Sequence, residues 1–192
     1  MIKNHSRAYW FGASDTAMIM SHWDTQTFYK WWLVKCGAVP QPTWSTKAMR
    51  AGTYYEHRIL DALGIAKRDR QIRIRRLRLR VNLDGEDRKI VHEIKTHSKP
   101  KFSVSKAYWQ QAQVEMYVTK KRLVINAYHL TEEDYNNYFN EIDTERLTEH
   151  PIEYDRVWIK EQYLPRLKYL ARCLRRRRLP KESDFLEAYR QN

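Results

Sequence analysis

The chain is 192 residues long, with 36 Lys and Arg against 23 Asp and Glu, a formal charge of +13, and 13% aromatic residues. That length accommodates one domain with its own core, and the aromatic content excludes a disordered basic tail. The positive excess predicts an anionic partner, nucleic acid before a membrane surface, and no apolar run approaches transmembrane length.

In chain order, Ser14 or Asp15 is placed to cap a short helix, Thr16 to Met20. Asp24 would cap the next, Thr25 to Cys36, with Gly37 at its C′ position. Phe28, Trp31, Trp32 and Lys35 fall at helical spacing there, and the three aromatics read as core. Beyond a loop marked by Pro40 and Pro42, a third helix is expected from about Thr46 to Leu63, ended by Gly64. Glu56 lies in it beside the apolar stripe of Tyr55, Ile59, Leu60 and Leu63. From Arg70 to Leu83 the apolar residues alternate on even numbers to Ile74, then on odd numbers from Leu77. Such a slip requires a bulge or a tight turn between two strands. The opposite face of this ribbon is nearly all arginine, Arg73, Arg75 and Arg78 among them. Without interleaved acids these groups repel one another, which favours an anion-facing surface.

Ser103 or Ser105 would cap a helix from Lys106 to Val118, with Tyr108, Gln111 and Glu115 on one face. Lys121 to His129 alternates as a strand, and Pro151 to Asp155 is expected to form another. A final helix, Val157 to Arg177, runs into Arg175-Arg176-Arg177-Arg178, which reads as a solvated basic tail, with a DNA-backbone contact as the lesser reading. The order of elements predicts a single α/β (α+β) domain, a small central mixed sheet flanked by helices.

The chemistry concentrates around Asp84, followed nine and eleven residues later by Glu93 and Lys95. Two apart on a strand, Glu93 and Lys95 share a face, and the polar run Gly85 to Lys89 suits a hairpin loop that folds Asp84 back to them. Short charged hairpins are common. Here, though, the strand Lys89 to Lys95 is apolar on both faces, so it should be central, where charges must pair or coordinate. Carboxylate oxygens suit Mg²⁺ or Mn²⁺, and a neighbouring lysine can orient a water against a phosphodiester. Cys36 and Cys173 form no Cys-x-x-Cys, which excludes a thiolate metal site and makes a disulfide framework unexpected. His92 and His97 bracket the key strand in structural or substrate-facing roles. With no signal-peptide core at its start, the chain is expected to be cytoplasmic.

Four motifs occur in order: Gly52-x-x-Tyr55-Glu56, Asp84-Gly85, Glu93-Ile94-Lys95 and Tyr108-x-x-Gln111-x-Gln113-x-x-Met116. In combination they resemble the phage lambda exonuclease branch, the YqaJ-like viral recombinase family, of the PD-(D/E)XK nucleases, across about residues 7 to 130. Leu83 stands where the family name has proline, and the C-terminal third, including the strand, helix and basic tail of about 150 to 192, matches poorly.

The resemblance implies a restriction-endonuclease-like core in which Asp84, Glu93 and the Ile94 carbonyl bind Mg²⁺ or Mn²⁺ and Lys95 positions or activates the water. Glu56 would complete the acidic cluster, and Gln111 would contact the site with Tyr108 nearby. Arg7 and Ser14 would hold a terminal 5′-phosphate. It further implies 5′→3′ resection of linear double-stranded DNA for recombination, a phage single-strand annealing protein as partner, and a homo-oligomer in the form of a trimeric ring. The competing expectations are an endonuclease of the same superfamily and a non-catalytic DNA-binding protein on the same scaffold.

Overall fold

The computed structural model describes residues 7–190. The first six residues, where a signal core is not expected, and the last two of the expected basic tail lie outside the described residues. Five strands form one mixed sheet in the order β1-β2-β3-β4-β5: β1 (Lys67–Ile74), β2 (Leu79–Glu86), β3 (Ile90–His97), β4 (Arg122–His129) and β5 (Leu147–Ile152). All neighbours are antiparallel except β3 and β4, which run parallel in the register Glu93↔Ile125 and Lys95↔Ala127. A parallel pair needs a long crossover, and α4 (Lys106–Thr119) supplies it. Thus β3 is the central strand, as its two-sided apolar pattern predicts.

The helices begin largely where polar caps place them. A 3-10 turn, Ala13–Asp15, leads into the short α1 (Thr16–Ile19). The next helix, α2 (Gln26–Lys35), is capped by Thr25 rather than Asp24, its hydroxyl accepting the Phe28 N–H at 3.2 Å. Thr46 and Ser105 cap α3 (Lys47–Ala62) and α4 in the same way. Gly37 follows α2 with φ of 69°, and a Cβ there would stand 2.8 Å from the Tyr9 hydroxyl, so glycine is required twice over.

Three expectations need correction. Asp15 does not cap α1; its carboxylate reaches back to the Gly12 N–H at 2.6 Å. Gly85 is not in a loop but pairs with His92 inside the sheet, where a Cβ would come within 2.6 Å of Leu60 on α3. The turn is only Asp87 to Lys89, with the Asp87 carboxylate accepting the Lys89 and Ile90 N–H groups. Lastly, the arginine tetrad does not trail off. After α7 (Leu164–Arg175) the chain turns into α8 (Glu182–Arg190), whose Phe185 is buried in the core. Glu182 accepts from the Trp23 N–H at 3.2 Å and from Arg166 at 3.0 Å, while Arg166 lies over both the Trp23 and Phe185 rings.

Short elements also went beyond the sequence reading. A turn of helix, α5 (Glu132–Asn136), precedes β5, and β5 starts at Leu147 instead of Pro151. Ahead of α7, α6 (Arg156–Trp158) and a π turn (Ile159–Tyr163) begin the C-terminal helix. Pro165 offers no N–H to the Glu161 carbonyl, and the Tyr189 hydroxyl from α8 donates to it at 2.9 Å. The main core joins Phe11, Phe28, Trp32, Val91, Val114, Ile125 and Leu167, and a second packs α3 against Ile94 and Tyr128. No helix among the described residues is long and apolar enough to cross a membrane.

Candidate active site

The sheet comes apart at Asp84. Ladder pairs join β2 and β3 at Glu86–Val91 and Gly85–His92 and go no further. On its other side, the β1–β2 register passes over the position where Asp69 would face Asp84, because Asp69 is in the left-handed region with φ of 53°. Into this gap the Asp84 carboxylate turns and accepts the Ile94 N–H at 2.9 Å, so a side chain does the work of a strand carbonyl. The convergence expected of Asp84 with Glu93 and Lys95 follows from this local splay.

One residue further along that edge of β3, Glu93 is nearly inaccessible, its side chain 4% exposed. Its Oε1 accepts from Lys95 Nζ at 2.5 Å and from Gln111 Nε2 at 2.7 Å. The second Gln111 N–H goes to Glu115 Oε1, one helical turn along α4, at 2.8 Å. With both amide hydrogens used, the Gln111 carbonyl oxygen is left to accept from another group. Lys95 Nζ also lies over the Tyr108 ring, 5.0 Å from its centroid. Helical spacing on α4 thus puts Tyr108, Gln111 and Glu115 on the face that meets β3.

Burial, with the charge of Glu93 beside them, pushes the carboxyls of Asp84 and Glu115 well above the usual carboxylate range and raises Glu56 as well. Burial alone would lower the Lys95 ammonium, but Glu93 and Asp84 outweigh it and hold Lys95 above the ordinary lysine range. Among the described residues, Lys95 is therefore the ammonium that acts on Glu56, Asp84, Glu93 and Glu115 alike. Oε2 of Glu93 and Oε2 of Glu115 are both buried without a hydrogen-bond partner. Hard oxygen donors, a negative imbalance and two orphaned buried oxygens together suit a divalent cation.

Glu56 is reached differently. It sits on α3 beside His57, whose Nε2 is 4.0 Å from Glu56 Oε1 and 3.2 Å from Asp69 Oδ2. Among the described residues, Glu56, His57 and Asp69 form a triad whose ligand atoms all lie within 4.8 Å of one another, and Asp84 and Glu93 stand outside it. Glu56 consequently feels the charges of Glu93 and Lys95 while belonging to a neighbouring cluster. Sequence reasoning missed Asp69 and His57; the conformation that brings Asp69 in leaves no local signature. His92 Nε2 lies 3.4 Å from Asp87 Oδ2, and His97 Nδ1 lies 2.9 Å from the Lys99 carbonyl.

Arg7 and Ser14 line one small cavity of about 90 Å³ together with Lys35, Arg80, Asn82, Gln111 and Glu115, so this pocket opens onto the acid cluster through Gln111. Lys35, 1% exposed, donates to Asp15 at 2.5 Å and to the Trp10 carbonyl at 3.0 Å. Burial lowers its pKa against the pull of Asp15, and burial with Arg73 and Arg7 lowers that of Arg80. Three cations and a hydroxyl, set against the carboxyls of Asp15 and Glu115, make a pocket suited to an anion. The place of Lys35 on the aromatic face of α2 was a readable sign of a buried, paired cation. Its partner, twenty residues away in sequence, was not. Arg73 borders the anion pocket, facing Arg80 across the β1–β2 ladder, donating to Gln71 and lying over Trp10, while Arg75 and Arg78 line a cleft beyond it.

Two solved structures share this architecture. One is a crystal structure of an alkaline exonuclease (LHK-Exo) from Laribacter hongkongensis, 20% identical, TM-score 0.58, covering 89% of this chain and 94% of that one. The other is LHK-Exo in complex with dAMP, 18% identical, TM-score 0.62, covering 96% and 94%. No protein-family model matches the chain, and no curated protein matches it.

Proposed function

We propose that this chain is a Mg²⁺- or Mn²⁺-dependent deoxyribonuclease that resects linear double-stranded DNA in the 5′→3′ direction. The observation that carries this reading is the split in the sheet, where Asp84 turns to the Ile94 amide beside Glu93, whose buried carboxylate accepts from Lys95 and Gln111. Its fold likeness to an alkaline exonuclease, solved also with dAMP, supports it.

Asp84, Glu93 and the Ile94 carbonyl would hold the cation, with Glu56 alongside. When bound, the cation supplies Lewis acidity at the scissile phosphate and a more acidic water. The protein's own groups do the rest. Lys95, kept charged by Glu93 and Asp84 in the metal-free site, would orient or activate the attacking water and stabilise charge on the phosphoryl oxygens. Gln111 holds Glu93 in place and presents its carbonyl to the water or substrate. Arg7 and Ser14, with Lys35 and Arg80 behind them, would seat a 5′-phosphate, which sets the cutting register from the end. Arg73, Arg75 and Arg78 would grip the backbone without reading sequence. A phage annealing protein and a trimeric ring, both implied by the family resemblance, belong to the same proposal.

The deciding experiment is a time course on end-labelled linear duplex beside covalently closed circles, with Mg²⁺ or with EDTA. Metal-dependent loss of the linear substrate alone is expected; cutting of closed circles would favour an endonuclease, and no cutting of either would favour a scaffold. Dephosphorylating the 5′ ends should slow digestion about tenfold, read as initial rate, if Arg7 and Ser14 form the end pocket. An unchanged rate would remove that assignment.

A further inference from the structure

A second basic feature lies on the far side of Trp10 from the anion pocket. Trp10, Arg75, Arg76, Arg78 and Arg175 line a cleft of about 630 Å³. None of these four arginines makes an ion pair with a carboxylate among the described residues, although Asp or Glu partners hold Arg68, Arg70, Arg146 and Arg166 elsewhere. With no carboxylate among the described residues paired to them, their charge is left available to an anion.

The walls are fixed rather than loose. Arg175, in the last turn of α7, donates from Nη1 to the Arg76 carbonyl at 3.0 Å and so ties that helix to the β1–β2 turn. Phe11, next to Trp10, exchanges backbone hydrogen bonds with Arg78 and Arg80 at 2.7 and 2.8 Å. The guanidinium of Arg78 lies 6.0 Å from the Trp10 ring centroid, and that of Arg73 lies 5.8 Å from it. Trp10 also lines the pocket of Arg7, Ser14 and Gln111, so the indole is a wall common to both cavities.

The geometry points to a binding site for an unpaired DNA strand, with phosphates on Arg75, Arg76, Arg78 and Arg175 and a base stacked on the indole or guanidinium planes. Arginines in a groove track phosphates, and a flat π surface between them takes bases only when they are not already stacked in a duplex. This assignment rests on the nuclease reading of the neighbouring site: an enzyme that removes one strand leaves the other unpaired beside itself.

The test is fluorescence anisotropy with the full chain in EDTA, which prevents cleavage. The probes are a labelled ~12-nucleotide oligothymidylate and a hairpin duplex with the same number of phosphates. Arg76→Ala with Arg175→Ala, both at exposed positions, should weaken oligothymidylate binding about tenfold and reduce the log–log salt slope by about 1.4. Trp10→Leu should weaken it about tenfold with the salt slope unchanged. Duplex binding should fall less in each variant. If the double variant loses its far-ultraviolet circular dichroism, the single Arg76→Glu carries the test. Single-strand binding equal to wild type, or an equal loss for duplex and single strand, overturns the site. Failure of the nuclease reading would register elsewhere, as absent metal-dependent cleavage by the unaltered protein.

Discussion

Replacing Lys95 with alanine should lower metal-dependent cleavage of linear duplex about 10³-fold or more, with DNA affinity changed less than about twofold. Lys95 donates to Glu93 at 2.5 Å and packs over Tyr108, so it is held at the acid cluster and away from the arginine-rich surface. Its removal takes away the ammonium that lowers the proton affinity of Asp84, Glu56 and Glu115, which then hold their protons more tightly. The residual activity should therefore require higher pH than that of the wild-type protein. Single-turnover rates on end-labelled duplex, with anisotropy in EDTA for binding, separate the two effects. A rate near wild type would move the chemistry elsewhere.

A second large effect is expected from Glu115→Gln, and it is one of stability and pH. The folded-state pKa values of Asp84, Glu115 and Glu56 lie above those of the unfolded chain. Below the usual carboxylate range both states are protonated and nothing is lost. As pH rises from that range towards the raised values, the unfolded chain gives up protons that the folded chain keeps, so metal-free stability falls with rising pH. Glutamine copies the neutral acid in shape and keeps an oxygen for Gln111. In EDTA at alkaline pH the variant should be more stable by about 1–3 kcal/mol, raising Tm by about 2–12 °C, and the gain should vanish at about pH 4. Added Mg²⁺ or Mn²⁺ should raise the Tm of the wild-type protein more than that of the variant. A variant less stable than wild type at high pH would mean that the Glu115 charge already has a partner in the fold.

How far the fold could be read from the chain varies with the range of the forces involved. Helices α2, α3 and α4 were legible to within a residue or two because hydroxyl caps and terminal glycines act locally. The strand pair around Arg75 was legible because a change of parity needs a turn. By contrast, β5 is a polar edge strand carrying Pro151, and its pairing rather than its composition makes it a strand. Helix α8 depends on Trp23 and Arg166, which no local pattern connects to Glu182. The same division runs through the site. Alternation on β3 was enough to put Glu93 and Lys95 on one face, and helical spacing on α4 to align Tyr108, Gln111 and Glu115; that the two faces meet was implied only by the family resemblance. The contribution of Asp69 and the burial of Lys35 against Asp15 arise from a backbone twist and a long-range pair, neither of which leaves a pattern in composition.

The break between β2 and β3 also installs a reporter. At Ile94 the amide hydrogen is shared with a carboxylate whose proton affinity the surrounding acids have raised. Its exchange with deuterated solvent, or its nuclear resonance frequency, should follow the ionisation of Asp84 directly. Titrating that single backbone signal would read the charge state of the centre with neither DNA nor turnover required.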